Sequence, residues 1–467
     1  MKDKKGFFNI FQNKLLLGYV IGGFLVSFGS NLTYSNLFDE MFSLGVDIII
    51  VAIFANFLVF LELGLLIWGP FLGRWIDKRY SPNGRRRIYL LVTSIAIGFI
   101  MLTFIILPFK FGILNPFLNL LLLFLIFGAY FVGIFIFSLN YSSLFPEMFQ
   151  NLQERTDART FLVIMAIIGN ILGDLINISI NFLPFISSAL VFLGSYVLLQ
   201  HGVEEPYNKF LINIRSEPDI QKEQSILKNP LFKSFLILSI LLWVSYQFLL
   251  SGFSNTYLLL AMSSTGVVSP EFSNFLELFT NYAPQITALL FLIYWRKLSL
   301  TRGIKRGLKV VVLLTLILVV FGAISFDIYS GIIISSILEG VLRGIPFFLI
   351  LFLAIIIDDY FINTMKRREA SHFGIYNLVS GMMEFFGLII FNFISLFAYR
   401  FGTFGTSTEF LMGYIPKVIA FIIGGILLLT GFLYLKKIPL NEEEYNKIET
   451  RVMEIRKEFY NEKKISN

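Results

Sequence analysis

Twelve long apolar stretches divide this chain, near residues 15–37, 48–72, 88–108, 117–145, 160–182, 184–200, 231–252, 272–295, 308–326, 329–357, 373–397 and 414–435. Most reach the ~20 residues that a helix needs to cross a bilayer, and the stretch at 184–200 is the short one. Composition agrees with lipid as the solvent. Of the 467 residues 56% are apolar and 15% charged, whereas soluble domains average roughly 45–50% and about 25%. Disorder, collagen and coiled coil are excluded on the same ground. The first stretch has no small-residue cleavage site and is followed at once by more of its kind, so it is expected to remain a span and not a removable signal. The absence of Cys excludes disulfides, a thiolate nucleophile and zinc–thiolate sites. Two histidines, His201 and His372, leave little for His-based chemistry.

Charge placement sets the orientation. With the N-terminus placed in the cytoplasm and the loops assigned alternately, 34 of the 38 Lys and Arg fall on the cytoplasmic side. Lys110, Arg400 and Lys417 fall outside, and Arg343 lies within a span. This is the positive-inside asymmetry, and an odd number of spans would scramble it. The net charge of +7 therefore needs no nucleic-acid partner.

The polar segment 201–230, with Pro206, Pro218 and Pro230, separates six spans from six and reads as a linker. The expected organisation is a bundle over 1–200, the linker, a second bundle over 231–435 and a charged cytoplasmic tail over 436–467. The loops after spans 2 and 8 are both strongly basic, and those after spans 4 and 10 both mix acids with arginines. Such internal repetition fits two similar six-helix halves.

Three loops carry recognisable patterns. The first, GPFLGRWIDKRYSPNGRRRIYLL at 69–91, holds Gly73, Asp77, Gly84, Arg85, Arg86 and Arg87. Glycines permit a tight turn and close helix approach. Asp77 suits a charge-assisted bond to an arginine or a seat at a helix N-terminus. A topology-fixing basic loop is the plainer reading. The second, at 139–159, holds Pro146, Glu147, Glu154, Arg155, Thr156 and Arg159. The third, at 355–377, holds Asp358, Asp359, Tyr360, Arg367, Arg368, Glu369, Phe373 and Gly374. A weaker echo is Gly202-Val203-Glu204-Glu205 after span 6.

Taken together, these motifs resemble the major facilitator superfamily, and within it the glycoside–pentoside–hexuronide:cation symporters and the related sucrose transporters. The resemblance implies an all-α polytopic fold of twelve transmembrane helices in two six-helix bundles around a cavity that opens alternately to each side. It implies a sugar or glycoside moved with a cation, and gating roles for the loop residues just named. The family's usual helix-2 acids fall here on Gly69 and Leu65, and its helix-4 acid falls on Ser138. That departure disfavours Na⁺ coupling, leaves it open, and makes H⁺ the expected ion. No cofactor or metal is expected.

Five acids lie within spans: Glu62, Asp174, Glu277, Glu339 and Glu384. A charge at the bilayer centre costs at least ~2.5–3.5 kcal/mol, and it survives when protonated, paired or facing a wet cavity. Glu339 and Arg343, four residues apart, are expected to pair, as a structural lock or as a cavity-facing pair. Glu277, Asn281 and Gln285 recur every four residues, and such a stripe suits sugar hydroxyls or helix–helix bonding. Ser27, Asn31 and Tyr34 form a similar stripe in span 1, and Asn56 adds polarity to span 2. Glu62, two turns before Pro70, leads the candidates for proton coupling. Asp174 and Glu384, each near glycines, are coupling candidates or packing contacts. Trp243, Tyr246 and Gln247 form a candidate stacking patch. Trp75, Trp295, His201 and His372 sit at cytoplasmic span ends and read as interfacial residues.

No GxxxxGK[ST] loop is present, which removes ATP hydrolysis by that route. An enzyme would need acids or histidines gathered at one membrane face, and Asp358-Asp359 is the sole adjacent acid pair beside a basic loop. The expectation is a secondary transporter and not an enzyme, monomeric in the cell membrane, with a small-molecule substrate, both termini cytoplasmic and no nucleic-acid partner. The alternatives are an exporter or uniporter of a non-sugar molecule, or a transporter-like sensor.

Overall fold

The computed structural model describes residues 13–43, 48–78, 84–106, 116–175, 183–205, 226–267, 270–324, 328–402, 408–440 and 442–465. Among them are thirteen α-helices, a 3₁₀ turn at Ile226–Lys228 and no strand. The first six apolar stretches form α1 (Lys14–Ser43), α2 (Ile48–Lys78), α3 (Arg87–Ile106), α4 (Pro116–Met148), α5 (Leu152–Leu175) and α6 (Leu183–His201). The rest form α7 (Pro230–Val267), α8 (Pro270–Ile324), α9 (Ile328–Leu342), α10 (Gly344–Thr364), α11 (Glu369–Gly402) and α12 (Thr408–Lys437). The charged tail is α13 (Glu442–Ile465). Among the described residues, seven helical segments are long and apolar enough to cross a membrane.

Two elements depart from the apolar pattern. The eighth and ninth stretches join in one helix, α8, bent at Gly303 with φ 75 and ψ 164. The tenth stretch, expected as one helix, breaks instead: α9 ends at Leu342, Arg343 forms a turn, and α10 begins at Gly344. Pro346 has no N–H for the Leu342 carbonyl four residues back, so the helical ladder cannot run through this point. Arg343 consequently sits at a helix junction and not in mid-helix.

The chain divides into two compact units. The first comprises Met1–Glu223, Asn363–Leu378 and Met453–Asn467, and the second Gln224–Ile362 and Val379–Val452. Within the first, α1 packs along α6 and α5, α3 along α6 and α4, and α2 along α4. Within the second, α12 packs along α7 and α8, and α9 along α8 and α7. Each unit thus pairs its first helix with its sixth, and its third with its sixth. The contact of Gly322, late in α8, with Phe421 of α12 belongs to the latter kind. Such likeness is the mark of an internally repeated membrane fold.

Burial separates core from lipid-facing surface. From Gly344 to Phe361, α10 is buried on almost every side, as a helix apolar all round must be. On α2, by contrast, Phe60 is 70% and Phe71 64% exposed, a surface that only lipid or protein could cover. Two residues expected at the interface lie in the core. Trp295 is 1% exposed, stacks on Phe291 at 5.4 Å and packs against Gly344. His372 is fully buried, because the first turn of α11 is packed against α2. Trp75 and His201 are exposed at helix ends as expected.

Candidate functional site

The loop motifs converge within the first unit on one buried charge cluster. Gly84 has φ +100, a conformation that glycine adopts without strain. The turn it makes aims three successive amides at Glu205: those of Arg85, Arg86 and Arg87 donate to its carboxylate at 2.7, 2.8 and 3.0 Å. Glu205 therefore caps the start of α3, where unpaired amides and the helix dipole favour an anion. A Cβ on Gly84 would stand 2.7 Å from that carboxylate.

The freed side chains turn inward. Arg86 bonds Glu147 at 2.5 Å and Glu369 at 2.7 Å, and stands 3.6 Å from Asp77. Arg85 lies 3.4 Å from Glu147 and 3.5 Å from Glu369. Arg367 bonds Glu369 at 3.0 Å. Three guanidinium groups balance three carboxylates, all essentially unexposed. Ions so desolvated are tolerable only with this density of partners. Burial alone would lower the Arg86 pKa, but Glu369, Glu147, Asp77 and Glu205 hold it above its ordinary value.

Asp77 caps a second helix. It accepts from the Ala370 amide at 3.2 Å, and from the Ser371 amide and hydroxyl at 2.7 Å each, in the first turn of α11. Burial pushes its carboxyl up, and Arg86 opposes that push. The helices must cross closely for this reach. A Cβ on Gly374 would fall 2.5 Å from the Gly69 carbonyl, and Gly73 packs on Ala370.

The remaining loop residues do other work. Asn151 and Glu154 cap α5: the Glu154 amide donates to Asn151 Oδ1 at 2.8 Å, and the Gln150 amide donates to Glu154 at 3.0 Å. Arg155 donates to the carbonyls of Phe149 (2.8 Å) and Pro146 (3.1 Å), closing the end of α4. Arg87 is exposed and donates to the Leu199 carbonyl at 2.9 Å. Arg159 makes no ion pair with the cluster and lies within electrostatic reach of Tyr19, Tyr141 and Tyr376. Asp358 is buried, Asp359 accepts from Asn229 at 3.3 Å, and the Arg368 carbonyl meets His372 Nδ1 at 2.7 Å. Glu205, Glu369 and Ser371 carry more of the cluster than their sequence context suggests. A hydroxyl within the first turn of α11 was the available signal for the last.

A second polar group lies in the second unit. Glu339 of α9 and Arg343 pair at 3.0 Å, as their spacing predicts, with side chains 17% and 24% exposed. Tyr246 of α7 lies within electrostatic reach of Arg343, Glu339 and Glu384. Trp243 meets Tyr246 edge-on at 5.3 Å, and the Gln247 stem packs on Gly387. Gln285 is buried, and its amide oxygen has no hydrogen-bond partner. The side chains of Asn31, Tyr34, Asn56, Asp174, Glu277 and Asn281 lie outside the described residues.

Glu62 is exposed on α2. Gly69 and Gly73, which meet α11, follow it by two and three helical turns and share its face. The exposed stripe of Phe60, Trp68, Phe71 and Trp75 lies on the opposite side. Its carboxylate therefore opens away from the lipid-facing aromatics. Among the described residues, no group of three His, Cys, Asp or Glu could hold a metal ion.

No protein-family model and no curated protein matches the sequence. Solved structures do resemble it in fold. A bacterial homologue of the iron transporter ferroportin, in an outward-facing state with soaked iron, superposes with a TM-score of 0.61 at 14% identity, over 90% of this chain and 98% of that one. The E. coli fucose:proton symporter gives 0.59 at 12% identity, over 90% and 98%. A second structure of that symporter, a major facilitator superfamily transporter in the outward conformation, gives 0.56 at 12% identity, over 89% and 99%. The chain has the major facilitator fold, that of a multi-pass membrane protein.

Proposed function

We propose that this chain is a secondary active transporter of a sugar or glycoside, driven by a proton and working by alternating access. The observation that carries the reading is the polar group of the second unit. Charges and an unpaired amide oxygen are placed among membrane helices, where such groups are costly unless a solute or proton uses them. Gln285 offers an acceptor, and Glu339 and Arg343 an acceptor and a donor, which suits a ligand rich in hydroxyls. Trp243 and Tyr246 offer an aromatic wall. Glu62 is the first choice for the coupling carboxylate and Glu384 the second. The likeness to these two transporters supports transport in general, and the loop motifs support the glycoside branch. The buried cluster around Arg86 serves as the cytoplasmic gate, since Asp77 and Glu147 tie α2 and α4 to the start of α11. We place the protein as a monomer in the cell membrane with both termini cytoplasmic, in keeping with the loop charges.

The test is uptake of labelled monosaccharides, disaccharides and glycosides into proteoliposomes, with a proton gradient, a sodium gradient or neither. Uphill uptake with protons alone, lost in Glu62→Gln, is the expected result. Unchanged pH dependence in Glu62→Gln would transfer coupling to Glu384. Sodium-driven uptake would overturn proton coupling, and downhill uptake alone would indicate a uniporter. No uptake by folded protein would favour a non-sugar solute or a sensor.

A further inference from the structure

The basic loop of the second unit turns like that of the first, but its cations are used differently. Each loop bends on a glycine with positive φ, Gly84 at +100 and Gly303 at +75. Beyond Gly84, Arg85 and Arg86 are spent on buried carboxylates and Arg87 on the Leu199 carbonyl. The run from Arg296 to Lys309, around Gly303, is spent much less. Lys305 donates to the Ile438 carbonyl just past α12. Arg306 stands 3.5 Å from Glu442, with side chains 68% and 50% exposed, and an ion pair so open to water holds little. Among the described residues, Lys297, Arg302 and Lys309 take part in no ion pair. Lys297, Arg302 and Arg306 are exposed, and Lys309 is half-buried.

The place of these cations in the membrane follows from α8 itself. The part from Tyr282 to Ile324 is 43 residues long, about twice the ~20 that one crossing needs. The bend at Gly303 therefore lies at a membrane surface, between two crossings. Exposed apolar residues mark a stripe on each limb. On the first limb Ile286, Leu290, Ile293 and Tyr294 recur at helical spacing, and Lys297 is the next member of that face. On the second limb Leu313, Ile317, Val320, Phe321 and Ile324 recur likewise, and Arg306 and Lys309 precede them on the same face. Both stripes thus run out into cations, with Arg302 in the turn between them. Charges that served only to hold a loop in water would need no such alignment. Acyl chains against the stripes and an acidic headgroup against the cations belong to one kind of molecule, and a cluster of about four Lys and Arg beside a membrane helix suits an anionic lipid.

We infer that the α8 bend is a binding site for an anionic phospholipid, whose headgroup sits among Lys297, Arg302, Arg306 and Lys309 while its acyl chains lie along the two stripes. The site is independent of which solute the protein moves. The test is titration of the full chain, in neutral detergent, with dioleoyl phosphatidylglycerol or dioleoyl phosphatidylcholine, the bound lipid being counted by native mass spectrometry. Phosphatidylglycerol is expected to bind wild type about tenfold or more tighter than phosphatidylcholine. The double variant Lys297→Gln/Arg302→Gln should weaken phosphatidylglycerol about twenty-fivefold, near fivefold per cation, and leave phosphatidylcholine unchanged. Lys436→Gln/Lys437→Gln removes the same charge from exposed lysines at the end of α12 and should change little. Glu442→Gln removes the competing acid and should tighten phosphatidylglycerol binding about twofold. Weaker binding in that variant would count against the site. Equal affinity of wild type for the two lipids, or equal losses in the two double variants, would overturn the proposal, the latter by reducing the effect to net charge. Competition by free glycerophosphoglycerol as strong as by the whole lipid would overturn it too, because a soluble phosphate would then suffice. The substituted side chains are exposed, so the melting temperature should hold. Should Lys297→Gln/Arg302→Gln nonetheless fail to fold, Arg302→Gln alone decides, with a loss of about fivefold expected and no loss overturning the site.

Discussion

The buried cluster of the first unit and the polar group of the second are built from the same residue types, Arg and Glu, yet they solve opposite problems. Around Arg86 three arginines and three carboxylates pair closely, none is exposed, and two helix starts are capped as part of the same network. Around Arg343 a single ion pair keeps part of its surface accessible, and Glu384 adds a second carboxylate within reach of the same tyrosine, Tyr246. Dense ion pairing out of water fixes a conformation. A lone, partly accessible pair keeps capacity for a ligand or a proton. The same side chains thus suit a latch in one place and, on the proposed reading, a receptor in the other, according to how many opposite charges surround them and how far water is excluded.

The contrast breaks most severely at Arg86. Arg86→Ala leaves Glu147, Glu369 and Asp77 buried with too few cations, at a cost of about 3–5 kcal/mol. A large fall in melting temperature is expected, and a fall of only a few degrees would mean that the cluster is not the latch described. Asp77→Asn keeps the shape but removes the charge from the α11 amides, and about 1–2 kcal/mol should be lost. Solute flux should then fall more than solute binding, and equal losses would count against a gating role.

Substitutions in the second unit should behave differently. Gln285→Leu removes an acceptor that no protein group uses, so the melting temperature should stay within a degree or so of wild type, while the affinity for a transported sugar drops about tenfold. Loss of stability with unchanged affinity would show that Gln285 serves packing. The smallest effect is expected from the Glu339–Arg343 pair. A double-mutant cycle through Glu339→Gln and Arg343→Gln should give a coupling energy below about 1 kcal/mol in the ligand-free protein, given the pair's partial exposure. A coupling as large as that around Arg86 would erase the distinction between the two regions.

Much of the site was legible residue by residue and little of it contact by contact. The motif reading picked out Asp77, Gly84, Arg86 and Glu147, and the structure gathers all of them in one cluster. It also grouped Arg155 and Arg159 with them as gating residues. Arg155 closes the end of α4, and Arg159 lies within electrostatic reach of tyrosines, so neither is an ion-pair member of the cluster. Nothing local distinguishes the two arginines, four residues apart in one amphipathic turn. Trp295 and His372 looked interfacial because they end apolar runs, yet neighbouring helices cover both. The break at Arg343 was hidden because hydropathy continues smoothly through it, although Pro346 marked the spot.

By itself the sequence determined the number of apolar stretches, the gathering of positive charge in alternate loops, and the glycines and charges of the three loops. Each of these is a property of some twenty contiguous residues judged against lipid or water, so no partner need be known. Only the tertiary structure decided who pairs with whom. Arg86 meets Glu147 across 61 residues and Glu369 across 283, and Asp77 caps a helix 294 residues away. No local preference encodes such pairings. They follow from helices crossing close enough to exclude water, and exclusion of water turns a charge into either a latch, when partners are at hand, or a binding site, when they are not.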